Sequence, residues 1–345
     1  MKNKYILFSD AKSSHTLKWL KELIKYYDIY LVSLNGYRKE ILDYISRDRL
    51  LILNESVNQS GGNVKLISKY FALQKLIKEI KPKYINAHYL SSYGIIAALI
   101  KRKYPKIKLI QSTWGTDILV TPFENFFKRK VAAFALNIAD LITSDSYFMS
   151  DKIKELSNNG NILTFPFGLD SIDLNQDYKK DENLIFSNRA LIKNYNIDKI
   201  IEWFLNLDNK ELKLIIANDG NMKDELENFV KSNNLTSRVE FVGFLNQSEQ
   251  REIYKKAKYY ISIPSSDSTA VSLLEAMSYG CIPIVSNIPA NREWIIGGCN
   301  GIFWNKELRN LNIDNNAAKI NQEIISKKAI FSNSIRDFVN KVSIL

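Results

Sequence analysis

The stretch PSSDSTAVSLLEAMSYGCIPIVSNIP at 264–289 carries two acids in settings that could do chemistry. Asp267 lies in a hydroxyl-rich loop, and Glu275 follows eight residues later inside an otherwise apolar helical segment. The strand-like run YYISIP (259–264) precedes them. Pro264–Ser268 therefore falls at a strand C-terminus, where ligands bind in open α/β sheets. From about Thr269 the chain turns helical, with Ser, Thr and Asp available as caps. Amide groups at such a helix start carry the positive end of its dipole and suit a diphosphate. Glu275, about two turns further in, can accept hydrogen bonds from both hydroxyls of a ribose. Asp267, nearer the strand end, can hold the hydroxyls of a sugar. The same two acids also fit an N-cap aspartate and a helix glutamate in an ion pair.

Both halves of the chain alternate short apolar runs with amphipathic segments, which predicts an α/β class built from doubly wound parallel sheets. Strands are expected at 5–9, 29–34, 50–54, 84–88, 108–113 and 141–144, then from 184 at LIFSN, 212–218, 239–243, 259–264 and 282–286. Helical patterns separate them, among others at 15–27, 66–80, 222–234 and 249–258. FPFGLD (165–170), with its Pro and Gly, is the natural joint. This divides the chain into residues 1–165, residues 171–320 and a helical tail, 321–345, expected to pack back toward the first domain. Two Rossmann-like halves joined in this way leave a cleft onto which the C-terminal ends of both sheets open.

A length of 345 residues exceeds one ordinary core and fits two domains. With 46% hydrophobic and 12% aromatic residues the composition is globular. GIIAALI (94–100) falls far short of the roughly 20 apolar residues of a spanning helix. The opening MKNKYILFSDAK has too few apolar residues for a signal peptide and reads as a first strand. Cys281 and Cys299 form no disulfide framework and lack metal-ligand spacing, so a cytoplasmic setting is expected. Residues 1–170 hold 26 Lys+Arg against 15 Asp+Glu, whereas 171–345 hold 22 of each. The whole net charge of +11 thus lies in the first half, which points to an anionic partner there.

The segment SSDSTAVSLLEAMSYGCIPIVSNIPANREWI (265–295) resembles the donor-site signature of glycosyltransferase family 4, a retaining family on the GT-B fold. SSHTLKWLKEL, AHYLSSYG, STWGTD, PFGLD and SNRALIKNYNID follow the family's order along nearly the whole chain. The resemblance implies a GT-B architecture, with an N-terminal acceptor domain and a C-terminal nucleotide-sugar donor domain. Glu275 would bind the ribose. Asp267 would contact the donor sugar, in a position the family usually gives to Glu. Amides near Ala270 and Val271 would face the distal phosphate, and Arg189 would pair with the diphosphate as charge develops on the leaving group. Lys193 is the nearest candidate for a second cation, although Tyr195-Asn196 competes for that place. His88 would lie near the reacting sugar and His15 near the first loop. Neither a cofactor nor a metal is implied.

Asp117, in WGTD, also follows a strand and is read either as an acceptor-side contact or as an N-cap. PFENFFKRKVAAFALNIADLI (122–142) sets Phe126 and Phe127 beside Lys128, Arg129 and Lys130. Aromatics next to a basic cluster suit an anionic membrane interface, and a helix with a solvated basic start is the plainer alternative. With these features, the resemblance implies a metal-independent, retaining glycosyltransferase. It would use a nucleotide-sugar, with UDP favoured over GDP, and a glycan or lipid-linked acceptor in surface polysaccharide assembly. It would work peripherally at the inner face of the cytoplasmic membrane. A GT-B epimerase or phosphorylase and a non-catalytic nucleotide-sugar-binding subunit are the alternatives. Nucleic acid is not expected as a partner, because no recognisable module appears and acids dilute the basic residues.

Overall fold

A computed structural model describes residues 2–53, 64–170, 178–311, 313 and 316–345. Asn54 of the expected third strand and the expected domain start at 171 lie outside this set. The chain divides into two compact units, Met1–Pro166 with Ser332–Leu345, and Phe167–Phe331.

The first unit holds a seven-stranded parallel sheet. Its strands are β1 (Lys4–Phe8), β2 (Asp28–Ser33), β3 (Leu50–Ile52), β4 (Tyr84–His88), β5 (Lys108–Ser112), β6 (Leu141–Ser144) and β7 (Ile162–Thr164). Its connecting helices are α1 (Ser14–Leu23), α2 (Val64–Ile80), α3 (Ile95–Lys103), α4 (Thr116–Leu119), α5 (Phe126–Asn137) and α6 (Tyr147–Leu156). The strand order is β3-β2-β1-β4-β5-β6-β7. It reverses direction between β1 and β4, so the loops after those strands diverge at the sheet's C-terminal edge. Helices cover both faces of such a sheet, and β4 and β6 accordingly read as uninterrupted buried runs. Local sequence sets where α1 begins. The Ser13 hydroxyl accepts from the His15 N–H at 3.1 Å, and the helix then buries Thr16, Leu17, Trp19, Leu20 and Leu23 on one stripe.

The second unit repeats the scheme with β8 (Asp181–Ser187), β9 (Lys213–Ala217), β10 (Val239–Gly243), β11 (Ala257–Ser262), β12 (Ile282–Val285) and β13 (Ile302–Phe303). Its helices are α7 (Ile197–Leu205), α8 (Lys223–Ser232), α9 (Gln247–Lys256), α10 (Val271–Ser278), α11 (Pro289–Arg292) and α12 (Ala317–Lys328). The order β10-β9-β8-β11-β12-β13 places this sheet's reversal between β8 and β11. A capping box sets the start of α9, with Asn246 and Glu249 satisfying each other's backbone N–H groups.

The last helix, α13 (Phe331–Ser343), returns almost entirely to the first unit. Phe338 is fully buried there, with ring centroids 5.1 Å from Trp19 and 6.2 Å from Phe165. Just before this crossing, Leu169 pairs with Ile330, and Gly168 adopts φ +48°. A Cβ on Gly168 would stand 2.7 Å from the Ala329 carbonyl oxygen, so backbone proximity as well as conformation requires glycine. The edge strands β7 and β13, three and two residues long, were not expected from sequence. Runs that short carry no periodic pattern.

Candidate functional site

In the second unit the reversal point is built from two loops, Asn188–Asn196 after β8 and Ile263–Ala270 after β11. They are stitched together by backbone and amide contacts. Ser265 N donates to Asn194 O at 2.8 Å, and Asn194 Nδ2 to Ser266 O at 3.0 Å. Asn196 Nδ2 donates to Ile263 O at 2.8 Å and to Ser265 Oγ at 3.0 Å. Asn196 takes the left-handed conformation, φ 52°, which Asn tolerates better than most residues. A third loop locks on from β9: Leu191 N donates to Asp219 O, and Met222 N to Leu191 O, both at 3.0 Å.

Arg189 sits at the centre. Its Nη2 donates to Asp267 Oδ2 at 2.6 Å and its Nη1 to Ser272 Oγ at 3.0 Å, while the guanidinium lies 4.1 Å from the Tyr195 ring centre. Burial alone would lower the Arg189 pKa, but Asp267, Tyr260 and Tyr195 hold it above its ordinary value. Burial also pushes the Asp267 carboxyl up, opposed by the guanidinium and by the Ser268 N–H, which donates at 3.0 Å. With a cation in direct contact, the ionised pair is the stable state. Tyr260, fully buried, donates to Asn188 Oδ1 at 3.0 Å, and its oxygen lies 2.8 Å from the Ser272 hydroxyl, which has its own proton to give.

Ala270 is the extended N-cap residue of α10, and its own side chain makes no capping hydrogen bond. Half-buried Val271 opens the helix. Glu275 follows on the same helix, and its charge reaches three tyrosines. The phenols of Tyr254, Tyr260 and Tyr279 are each raised first by burial and, among lesser causes, by Glu275. Lys193 is exposed on the turn Lys193–Tyr195, so Tyr195, not Lys193, lies against Arg189.

In the first unit the two histidines share one aromatic nest. His88, 2% exposed at the end of β4, stands edge-on to Trp19 at 4.9 Å and tilted to Trp114 at 5.4 Å. Among the described residues, neither of its ring nitrogens has a hydrogen-bond partner. Burial, with His15 as a smaller cause, lowers its pKa to about 3. His15 lies 5.0 Å from Trp114 on the other side and keeps solvent access. Desolvation and then Lys18 lower its pKa to about 4.

Asp117 is 1% exposed, and its carboxylate meets three backbone amides. Its Oδ1 accepts from Trp114 N at 3.0 Å and Gly115 N at 2.9 Å, and its Oδ2 from Leu90 N at 2.7 Å. It therefore ties the loop after β5 to the loop after β4. The residue between His88 and Leu90 is Tyr89, held at φ 75°, ψ 99°, and a single π turn, Leu90–Gly94, follows it. Non-glycine residues at such angles and π turns both concentrate at functional sites. Phe126 and Phe127 are exposed at the start of α5, next to Lys128, Arg129 and Lys130.

Sequence reading did not single out Tyr260, Ser272, Asn188 or Tyr89. Tyr260 and Ser272 meet Asn188 and its neighbour Arg189 only through the strand order, and no local pattern announces the backbone of Tyr89. Among the described residues, no three His, Cys, Asp or Glu side chains lie together as metal ligands, and no helix is long and apolar enough to cross a membrane.

Two Rossmann-like parallel-sheet units with a polar, cationic cluster at a strand-order reversal define a GT-B fold of the glycosyltransferase class. Residues 4–146 match the family described as Glycosyl transferase 4-like, and residues 171–329 match Glycosyl transferases group 1, so the chain is related to both groups. A curated relative from Campylobacter jejuni is 27% identical over 244 residues, which span 67% of this chain and 65% of that protein. It is a GalNAc-alpha-(1->4)-GalNAc-alpha-(1->3)-diNAcBac-PP-undecaprenol alpha-1,4-N-acetyl-D-galactosaminyltransferase. The structure of Anabaena Alr3699/HepE with UDP and glucose superposes with a TM-score of 0.79 at 16% identity, over 99% of this chain and all of that one. The lipopolysaccharide outer core galactosyltransferase WaaB gives 0.70 at 14% identity, over 99% of each chain.

Proposed function

We propose that this chain moves a sugar from a UDP-sugar to a glycan or lipid-linked glycan acceptor during surface polysaccharide assembly, retaining the anomeric configuration and using no metal. The observation that carries the reading is the Arg189–Asp267–Ser272 cluster beside the start of α10. Arg189 is a cation held in place before any phosphate arrives. Tyr195 stacks on one face of it, and Asp267 and Ser272 fix its direction. Such preorganisation stabilises a diphosphate as the glycosidic bond breaks, with little reorganisation at the moment of reaction. The start of α10 at Ala270 and Val271 adds its dipole to the same phosphates. Glu275 takes the ribose hydroxyls, Asp267 turns its remaining acceptor capacity to the sugar, and exposed Lys193 supplies a second cation from the adjoining turn.

In this reading the acceptor hydroxyl attacks from the leaving-group face and the diphosphate helps to receive its proton. Asp267 then acts as a positioning residue, while His88 lies near the reacting sugar. His15 and the loop that Asp117 braces serve the acceptor side. The undecaprenol-linked acceptor of the Campylobacter relative and the UDP held by the Anabaena protein support the substrate classes. They also favour work at the inner face of the cytoplasmic membrane.

The test is a thermal-shift panel of UDP, GDP, ADP and their sugar conjugates, on the native protein and Glu275→Ala. A ligand at about 100 times its dissociation constant adds about 2.7 kcal/mol to the folded state. UDP and a UDP-sugar should raise the melting temperature, and Glu275→Ala should abolish that rise. If no nucleotide shifts the native protein, the reading fails.

A further inference from the structure

The segment joining α4 to α5 displays apolar surface that nothing in the donor-site reading uses. Val120 is 42% exposed, Phe123 43%, Phe126 71% and Phe127 65%, all within eight residues. Soluble surfaces seldom cluster large side chains in this way, and such patches mark interaction sites. The segment is well formed. A 3-10 turn spans Thr121–Phe123, and the Asn125 side chain caps α5 by accepting from Lys128 N at 2.9 Å. These aromatics are thus held out from the fold by a capped helix start.

Cations interleave with the rings. Lys130 lies 4.5 Å from the Phe126 ring centre, Arg129 lies 5.6 Å from that of Phe123, and Lys128 pairs with Glu124. Phe123 and Phe126 therefore each have a positive charge at their flank. The segment belongs to residues 1–170, which carry a surplus of 11 positive charges. Rings flanked by Lys and Arg match the headgroup boundary of a bilayer. The rings enter the acyl boundary while the long basic side chains stay with the phosphates. A protein partner would require the opposite charge on a matching apolar patch. An anionic lipid surface supplies both properties everywhere.

We infer that Val120–Lys130 is a membrane-docking element that seats Phe126 and Phe127 in the headgroup layer of an anionic bilayer, with Lys128, Arg129 and Lys130 on its phosphates. The inference does not depend on the donor-site assignment, because no residue of this segment belongs to the second unit.

Co-sedimentation of the full chain with phosphatidylcholine vesicles, and with vesicles containing 30 mol% phosphatidylglycerol, tests it. Each basic residue near an anionic surface contributes roughly fivefold, and Glu124 offsets one of the three cations, so about 25-fold tighter binding to the anionic vesicles is expected, weakening as salt is raised. Phe126→Ser/Phe127→Ser should lower that binding at least tenfold, and Lys128→Gln/Arg129→Gln/Lys130→Gln should remove the lipid preference. The melting temperature of each variant shows whether it is folded. In Phe126→Trp, emission should shift to the blue on anionic vesicles and be quenched by brominated acyl chains, which reports insertion directly. Equal binding to both vesicle types would overturn the proposal, as would full binding by a folded Phe126→Ser/Phe127→Ser variant. A native dimer that the phenylalanine substitutions make monomeric, with vesicle binding unchanged, would assign the patch to a second copy of this chain and refute the membrane.

Discussion

Replacing Asp267 with Asn tests which way Arg189 turns its charge. Asp267 now neutralises much of that charge across a 2.6 Å contact. A phosphate oxygen on the far side of the guanidinium would stand about 6 Å from the carboxylate. At an effective dielectric of about 20, two like unit charges at that distance repel by roughly 3 kcal/mol. Asp267 is 22% exposed, so water reduces the repulsion to about 1.4 kcal/mol, or tenfold in a dissociation constant. Asp267→Asn should therefore bind UDP about tenfold more tightly by calorimetry. Sugar transfer should fall at the same time, because the sugar loses a charged acceptor. Asp267→Glu keeps the charge, so its UDP affinity should stay within about twofold of the native value. Asn has a single carbonyl oxygen to serve both the Arg189 and Ser268 donors, which costs about 1.5–3 kcal/mol of stability. Melting curves must accordingly accompany the titrations. Unchanged or weaker UDP binding by a folded Asp267→Asn protein would mean that Arg189 does not face the diphosphate.

Three further outcomes follow from the geometry. His88 is neutral in the fold, with a pKa lowered from 6.5 to about 3. The unfolded chain binds the proton first as pH falls, so stability is constant above about pH 7, drops between pH 6.5 and 3, and loses up to about 5 kcal/mol. His88→Asn should flatten that part of the curve in urea titrations, and an unaltered slope would refute the buried neutral imidazole. A Cβ on Gly220 would stand 2.3 Å from the Leu191 carbonyl oxygen. Gly220→Ala should thus displace the Arg189 loop and weaken UDP binding, and an affinity equal to native would show that the loop absorbs the change freely. Asp117→Ala strands two buried amides and one partly buried amide at about 1–3 kcal/mol each. A loss of at least 3 kcal/mol by denaturant titration is expected, with Asp117→Asn intermediate; a loss below about 1 kcal/mol would contradict the clamp.

Much of the architecture is legible because burial on both faces of a parallel sheet forces continuous apolar runs. YINAH and IPIVS read as strands for that reason, and Pro264–Ser268 reads as a ligand loop because it ends one. Glu275 stands out for a related reason, since a carboxylate in an apolar helix requires a partner. Asp117 was less legible. Its sequence context permits either an outward contact or a local cap, and only the fold brings Leu90 N to its second oxygen at 2.7 Å. Lys193 and Tyr195 are two residues apart, and their local propensities do not decide which one meets Arg189. The turn turns Tyr195 inward and leaves Lys193 in solvent.

By itself, the sequence determined the alternation of strands and helices, the two acids of the loop and helix at 264–289, and the basic, aromatic start of α5. These are properties of neighbouring residues, set by periodicity and composition. Tertiary structure alone decided that Arg189 and Asp267, 78 residues apart, share a 2.6 Å ion pair. It also decided that His88 is closed in between Trp19 and Trp114. The physical reason is strand order. Where a parallel sheet reverses its winding, the loops of two strands distant in sequence are left side by side at one edge, and no local pattern encodes which loops those are.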